Sequence, residues 1–351
     1  MGTALTCIKV HVDLEAKMQI GKVPENVLKR SILKLIKTRR EEVKLGASVG
    51  EDCAAIELAP DEMMVMSTDP ITGTTNDIGT LAIQITVNDL ASTGAEPIGV
   101  MLTLLLPPRT REIQIKRIME QAEVACAKAN VQIMGGHTEI TDVVKQPLIS
   151  VTGVGKVKKG KVISTGGAKP GMDIVATKWI GLEGTSIIAK EKEEELLSHF
   201  PKHLVDEAKS FDEYISVQSE AAVAVSFGVA AMHDVTEGGI LGALWEMAEA
   251  SGVGLDIDFR SIPVKQETIE IAEYFGINPY KLISSGCMLI ACSDGNGLVR
   301  ALDAKGINAT VIGKATDSND RVLLSDGERS FMEPPKTDEL YKVLSEPGGI
   351  K

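Results

Sequence analysis

An aspartate inside an otherwise apolar helical stretch is the strongest constraint this sequence places on its fold. Residues Ile78 to Ser92 read as one helix, stopped by Gly94 and Pro97. Within it, Ile83, Ile85, Val87, Leu90 and Ala91 surround Asn88-Asp89, two poor helix formers. A buried carboxylate is costly unless a cation or hydrogen-bond donors compensate it. An Asx-type bond to nearby backbone and a metal role explain Asp89 equally well at this level.

Three further acids stand at predicted element ends. Asp52 lies in Gly50-Glu51-Asp52, just before a strand; Asp69 follows the strand Met63–Thr68. Asp234 ends the strand Ala230–His233 and precedes Thr236-Glu237-Gly238-Gly239. Each alone reads as a loop or capping residue. The set of four suits Mg²⁺, which prefers hard oxygen ligands and joins carboxylates to substrate phosphates. Gly135-Gly136-His137-Thr138-Glu139 directly follows the strand Val131–Met134. Its glycines expose backbone N–H groups to phosphate oxygens, although a plain glycine turn between strands fits as well. His137 reads as a hydrogen-bonded turn residue ahead of a general base, and Cys53 as a buried thiol.

The order of elements predicts two domains. A helix opens at Pro24, with Leu28, Ile32, Leu35 and Ile36 at helical spacing. Strands at 54–58, 63–67, 98–106, 131–134 and 148–157, with a helix over 111–129, make an α+β domain of residues 20–157. The glycine-rich stretch Lys158 to Gly171 marks a boundary. Beyond it an α/β unit runs to 332, with strands at 173–177, 229–233, 254–257, 288–292 and 310–314 and helices over 185–190, 204–227 and 240–251. Residues 1–19 read as an extension and 333–351 as a weakly ordered tail. With aromatics at 3%, the core is built from aliphatic residues and Met, as layered packing requires.

Other chemistries are excluded one by one. The net charge of −12 repels a phosphate backbone, so no nucleic-acid partner is expected. Gly155 to Lys161 satisfies GxxxxGK, but Val162 stands where a P-loop needs a hydroxyl for Mg²⁺. Gly153-Val154-Gly155 starts a dinucleotide fingerprint that fails at Lys158. No GxSxG elbow occurs. His199 and His203 flank Pro201, which spoils a shared helical face for metal. The five cysteines form no CxxC pair and read as reduced thiols of a cytoplasmic protein. No apolar run reaches the roughly 20 residues that span a bilayer, so no membrane partner is expected.

Taken in order, several stretches resemble the superfamily of aminoimidazole ribonucleotide (AIR) synthase. They are Gly50-Glu51-Asp52, Ser67-Thr68-Asp69, Asp77-Ile78-Gly79 through Val87-Asn88-Asp89-Leu90-Ala91-Ser92-Thr93-Gly94-Ala95-Glu96-Pro97, and Gly135-Gly136-His137-Thr138. Val151-Thr152-Gly153-Val154-Gly155 and His233-Asp234-Val235-Thr236-Glu237-Gly238-Gly239 complete the series. The superfamily includes selenophosphate synthetase, thiamine-monophosphate kinase and the hydrogenase-maturation protein HypE. Gly21-Lys22-Val23-Pro24, Ile262-Pro263-Val264 and Phe275-Gly276-Ile277-Asn278-Pro279 are most similar to the HypE group. This chain has no cysteine after Cys292, whereas that group carries one at its C-terminus.

The resemblance implies a PurM-like two-domain α+β fold. Its N-terminal domain would form a dimeric β-barrel with a second copy, and its C-terminal domain would be α/β. It implies ATP and Mg²⁺ as cofactors, with Asp52, Asp69 and Asp89 as metal–phosphate ligands. Asn88, Gly135, Gly136 and Thr138 would contact the nucleotide, and Asp69, Asp89 and Asp234 would carry catalysis. The expected function is ADP-forming phosphoryl transfer to an oxygen of a small substrate. The alternatives are a non-catalytic nucleotide sensor or an accessory protein with a partner in hydrogenase maturation.

Overall fold

Two β-sheets, each covered by helices, meet across one shared helix. The computed structural model describes residues 18–51, 53–72 and 77–344. The first part runs β1 (Gly21–Lys22), α1 (Glu25–Ser31), β2 (Val43–Leu45), β3 (Ala55–Ile56), β4 (Glu62–Ile71), α2 (Ile78–Ser92), β5 (Glu96–Leu106), α3 (Glu112–Ala129), β6 (Gln132–Ile140) and β7 (Leu148–Lys158). Five of these strands form a sheet ordered β1-β6-β5-β7-β4. The β5–β6 pair is parallel; the others are antiparallel.

The second part runs β8 (Asp173–Thr177), α4 (Leu182–Glu191), α5 (Glu193–Leu197), α6 (Lys202–Lys209), α7 (Gln218–Phe227), β9 (Ala231–Asp234), α8 (Gly239–Ser251) and β10 (Gly254–Asp258). It continues through α9 (Gln266–Phe275), β11 (Met288–Cys292), α10 (Gly295–Asp303), β12 (Ala309–Thr316), β13 (Arg321–Ser325), β14 (Glu328–Phe331) and α11 (Leu340–Leu344). Its sheet is ordered β14-β13-β10-β12-β8-β11-β9, with only β10 and β13 parallel. Helix α8 covers one face, and α7 with α10 covers the other. Among the described residues no helix is long and apolar enough to cross a membrane.

Helix α2 has the predicted bounds, and its apolar character follows from its place. Ile83 and Val87 enter the core between α2, α3 and the first sheet. Leu81 and Ile85 face the second part, among residues of α4, α6, α9 and α11. Ala91 joins the core beneath α7. A helix buried on all sides cannot show an amphipathic stripe.

Three expectations change. The single helix over 204–227 is two helices, α6 and α7, separated by a 3-10 turn at Ser210–Tyr214 and by residues 215–217. The reason is external: Asn88 takes Ile215 O and Val217 N out of the helical ladder. The segment read as a weakly ordered tail is packed in part. Asp338, Leu340 and Val343 are buried, and the Asp338 carboxylate caps Gly238 N (2.7 Å). Cys53 is exposed rather than buried, because the strand expected from Ala54 is only the short β3.

Close packing between α2 and α3 is set by Gly79. A Cβ there would lie 2.3 Å from Ile118 O and 2.9 Å from Gln121 Cβ. Alanine is normally favoured over glycine in a helix by up to about 1 kcal/mol. Here Gly79→Ala is expected to destabilise the protein by about 2 kcal/mol in denaturant unfolding, because the helices must separate. Unchanged or increased stability would contradict this packing.

Candidate functional site

Alternation along β4 determines what meets α2. Met64, Met66, Thr68 and Pro70 are exposed, while Val65, Ser67, Asp69 and Ile71 take the half-buried face. Ser67 Oγ donates to Asp89 Oδ2 on α2 at 2.5 Å. Asp69, two residues on, hydrogen-bonds with Asp89 as well. Asp234 is the last residue of β9, the edge strand of the second sheet, and there faces Met288 of β11. Its carboxyl approaches Asp89 and Ser92. The two domains thus bring Asp69, Asp89 and Asp234 together.

The cluster is short of compensation. Asp234 is 6% exposed, and its Oδ2 has no hydrogen-bond partner. Burial raises its pKa above the usual carboxylate range, while the charge of His233 pulls the other way. Asp89 is also raised, first by burial, then by the charge of Asp234 and the bond with Asp69. Like carboxylates in a dry setting resist ionising together. An orphaned carboxylate oxygen beside two others fits a hard divalent cation. Among the described residues no group of three or more acidic, His or Cys side chains is placed to hold a metal ion by itself. Mg²⁺ does not need one, since it usually keeps waters and phosphate oxygens in its shell. Asp52, expected as a further ligand, lies outside the described residues.

The glycine pair is not a loop after a strand but part of β6. A register shift between Val100 and Met101 leaves Met134 as the extra residue, and pairing resumes at Gly135. Gly136, at φ 143°, lies so close to β5 that a Cβ would be 1.9 Å from Leu102 O. Asp69, Val151, Leu102 and Gly136 are register partners in one row across four strands. Three strand spacings separate Asp69 from Gly136 by about 14 Å. Gly135, Gly136, His137 and Thr138 border a cavity that opens to solvent. Leu28, Ile32, Leu104 and Ile133 give it an apolar floor, and Gly50 and Glu51 stand at its edge. His137 is exposed, its Nε2 3.2 Å from Glu139 Oε2.

Asn88 is placed differently from expectation. It is fully buried, and both ends of its amide engage the 215–217 segment rather than open space. Sequence reasoning also passed over Ser67 and Glu183. Glu183 lies in the first turn of α4, is buried, and has an unpartnered Oε2. Burial pushes its carboxyl up to about 7, with neighbouring Ser285 opposing and the Asp338 charge adding. The available signal was an acid set between Gly181 and Gly184 at a strand-to-helix turn.

Residues 50–157 match the family AIR synthase related protein, N-terminal domain, and residues 169–325 match AIR synthase related protein, C-terminal domain. A putative hydrogenase expression/formation protein of Methanocaldococcus jannaschii is 29% identical over 313 residues, 87% of this chain and 91% of the relative. The carbamoyl dehydratase HypE of Cupriavidus necator is 30% identical over 262 residues, 72% of each chain. A crystal structure of the hydrogenase maturation protein HypE in complex with ATP superposes with a TM-score of 0.74 at 20% identity, covering 91% of this chain and 96% of that one.

The raised carboxyls make a pH prediction. Below the unfolded carboxylate range both states are protonated and nothing is lost. As pH rises, the unfolded chain ionises freely while the folded one resists, so this cluster lowers stability through the neutral range. In chelator, Asp89→Asn is expected to raise the melting temperature by a few degrees near neutral pH, with the gain vanishing toward pH 4. A variant that melts lower than the parent at neutral pH would show that Asp89 is already compensated.

Proposed function

The chain belongs to the AIR synthase related family, and from that membership we propose an ATP- and Mg²⁺-dependent, ADP-forming enzyme. It would phosphorylate an oxygen of a small substrate. The observation that carries this reading is the meeting of Asp69, Asp89 and Asp234 across the two domains, with one oxygen of Asp234 buried and unpartnered. Uncompensated carboxylates are kept at functional sites and are rarely kept elsewhere.

In this reading Asp69 and Asp89 hold the metal, with Asp52 as a further candidate. The ion's contribution, when bound, is to neutralise phosphate charge in an otherwise acidic setting. Gly135 and Gly136 offer backbone close to the nucleotide, and Thr138 adds a hydroxyl at the same cavity. The apolar floor suits a base, and the 14 Å row to Asp69 leaves room for an extended nucleotide. Asp234 approaches from the second domain and orients groups at the reacting end. Catalysis is then mostly positioning and electrostatics. The similar HypE structure holds ATP by its description, which supports the cofactor. Two relatives are described as hydrogenase expression/formation proteins, so a maturation protein is the partner class proposed.

We also propose that the outer face of the first sheet pairs with a second copy. Met64 and Met66 are 51% and 60% exposed there, an unusual amount of apolar surface for adjacent strand positions. Met101 and Leu105 of β5 lie on the same outer face and are partly exposed.

Two measurements test these assignments. Asp69→Asn and Asp89→Asn should each weaken Mg²⁺-dependent binding of a non-hydrolysable ATP analogue by at least about tenfold in calorimetry, and ADP release should fall with it; parental affinity in both would remove the metal role. In sedimentation velocity the parent should run as a dimer and Met66→Glu as a monomer. A Met66→Glu dimer would place the contact elsewhere.

A further inference from the structure

Asn88 and Asp89 are chain neighbours, yet they serve two different partners. The Asn88 amide bridges α2 to the second domain: Nδ2 donates to Ile215 O at 2.8 Å, and Oδ1 accepts from Val217 N at 2.9 Å. The same segment is gripped from its other side. Lys178 Nζ donates to Tyr214 O (2.7 Å) and Ser216 O (2.6 Å), and it is itself held by the buried Glu220 carboxylate at 2.6 Å. Lys178 takes φ 51° to reach them, a backbone state that non-glycine residues rarely adopt. Four consecutive residues, 214–217, are therefore immobilised between a lysine of one domain and an asparagine of the other.

The consequence falls on Asp89. It projects from the same turn of α2 toward Ser67 and Asp69 on β4 and toward Asp234 on β9. Asp69 and Asp89 belong to one domain and Asp234 to the other, so their separation depends on how α2 seats against the second domain. A second polar tie lies at the far end of α2. There Lys190 Nζ bonds Asp77 (2.7 Å) and Asp212 (2.5 Å), about 16 Å along the helix from Asn88. The Asn88 clasp acts beside the acids, next to the approach of Ser92 to Asp234 and the packing of Ala91 beneath α7. Mg²⁺ demands near-octahedral geometry at about 2.0–2.1 Å, so a small shift in that separation matters.

We propose that Asn88 is a positioning residue: its two-pronged amide clasp on Ile215 and Val217 sets the gap between Asp89 and Asp234 for a divalent cation. This rests on the metal role proposed above for Asp69 and Asp89, and it adds the unpartnered Oδ2 of Asp234 as a ligand from the second domain. The full-length protein is titrated with Mg²⁺ in calorimetry while saturated with a non-hydrolysable ATP analogue, and the analogue alone is titrated in chelator. Asn88→Ala and Asn88→Asp are expected to weaken Mg²⁺ by about tenfold or more. Metal-free analogue binding should stay within about twofold of the parent, since the Asn88 amide engages the 215–217 segment and does not line the glycine-bordered cavity. Lys190→Met should also keep its Mg²⁺ affinity within about twofold. Asn88→Ala combined with Asp234→Asn should be no weaker than Asp234→Asn alone, since the gap no longer matters without that carboxylate. Melting curves check folding, and Asn88→Ser is read in the same way where the alanine variant is poorly folded. Parental Mg²⁺ affinity in the Asn88 variants overturns the proposal, as does an equal loss in Lys190→Met, which would make the effect a general loosening of the domains. A parent that binds no Mg²⁺ at all sinks the metal reading itself.

Discussion

Helix α2 is dry on nearly every side, and the arrangement of both domains follows from that. Twelve of its residues are buried, facing the first sheet on one side and α4, α7 and α9 of the second domain on the other. Apolar surface removed from water stabilises by roughly 25 cal/mol per Å², so a helix covered on two faces ties two domains more firmly than a surface helix ties one. The few polar groups it carries cannot find water there. The way two of them are treated defines the chemistry: Asn88 is paired with backbone of the 215–217 segment, whereas Asp89 has Ser67 and is crowded by two further acids.

The unequal treatment of these two neighbours separates architecture from site. Asn88 is paired at both ends of its amide, and a paired buried amide gives a specific docking geometry. Asp89 and Asp234 are under-compensated, and their raised carboxyls oppose folding at neutral pH. Local rules are broken where function requires it, with the surrounding packing offsetting the loss. Glu183, sealed at the first turn of α4 with one free oxygen, is a second instance of the same tension.

Much of the fold was legible because its signals are local. The bounds of α2, β8 and β11 coincide with the apolar runs and the Gly and Pro residues that end them. The glycine pair was legible as a special place and illegible as a strand. Nothing in Gly135-Gly136 announces the Leu102 backbone that Gly136 lies against. Likewise the residues 204–227 have helical periodicity throughout, and the break at 215–217 comes from a side chain more than a hundred residues earlier.

By itself the sequence determined the element order, the buried acid in an apolar helix and the family to which the chain belongs, since these depend on neighbours along the chain and on motifs in series. Tertiary structure alone decided that Asp69, Asp89 and Asp234 converge, that Asn88 faces backbone rather than open space, and that Gly136 lies in the same row as Asp69. The physical reason is that a hydrogen bond or a Coulomb contact acts over a few ångströms of space. Distances along a chain do not encode those ångströms until the core has closed around α2.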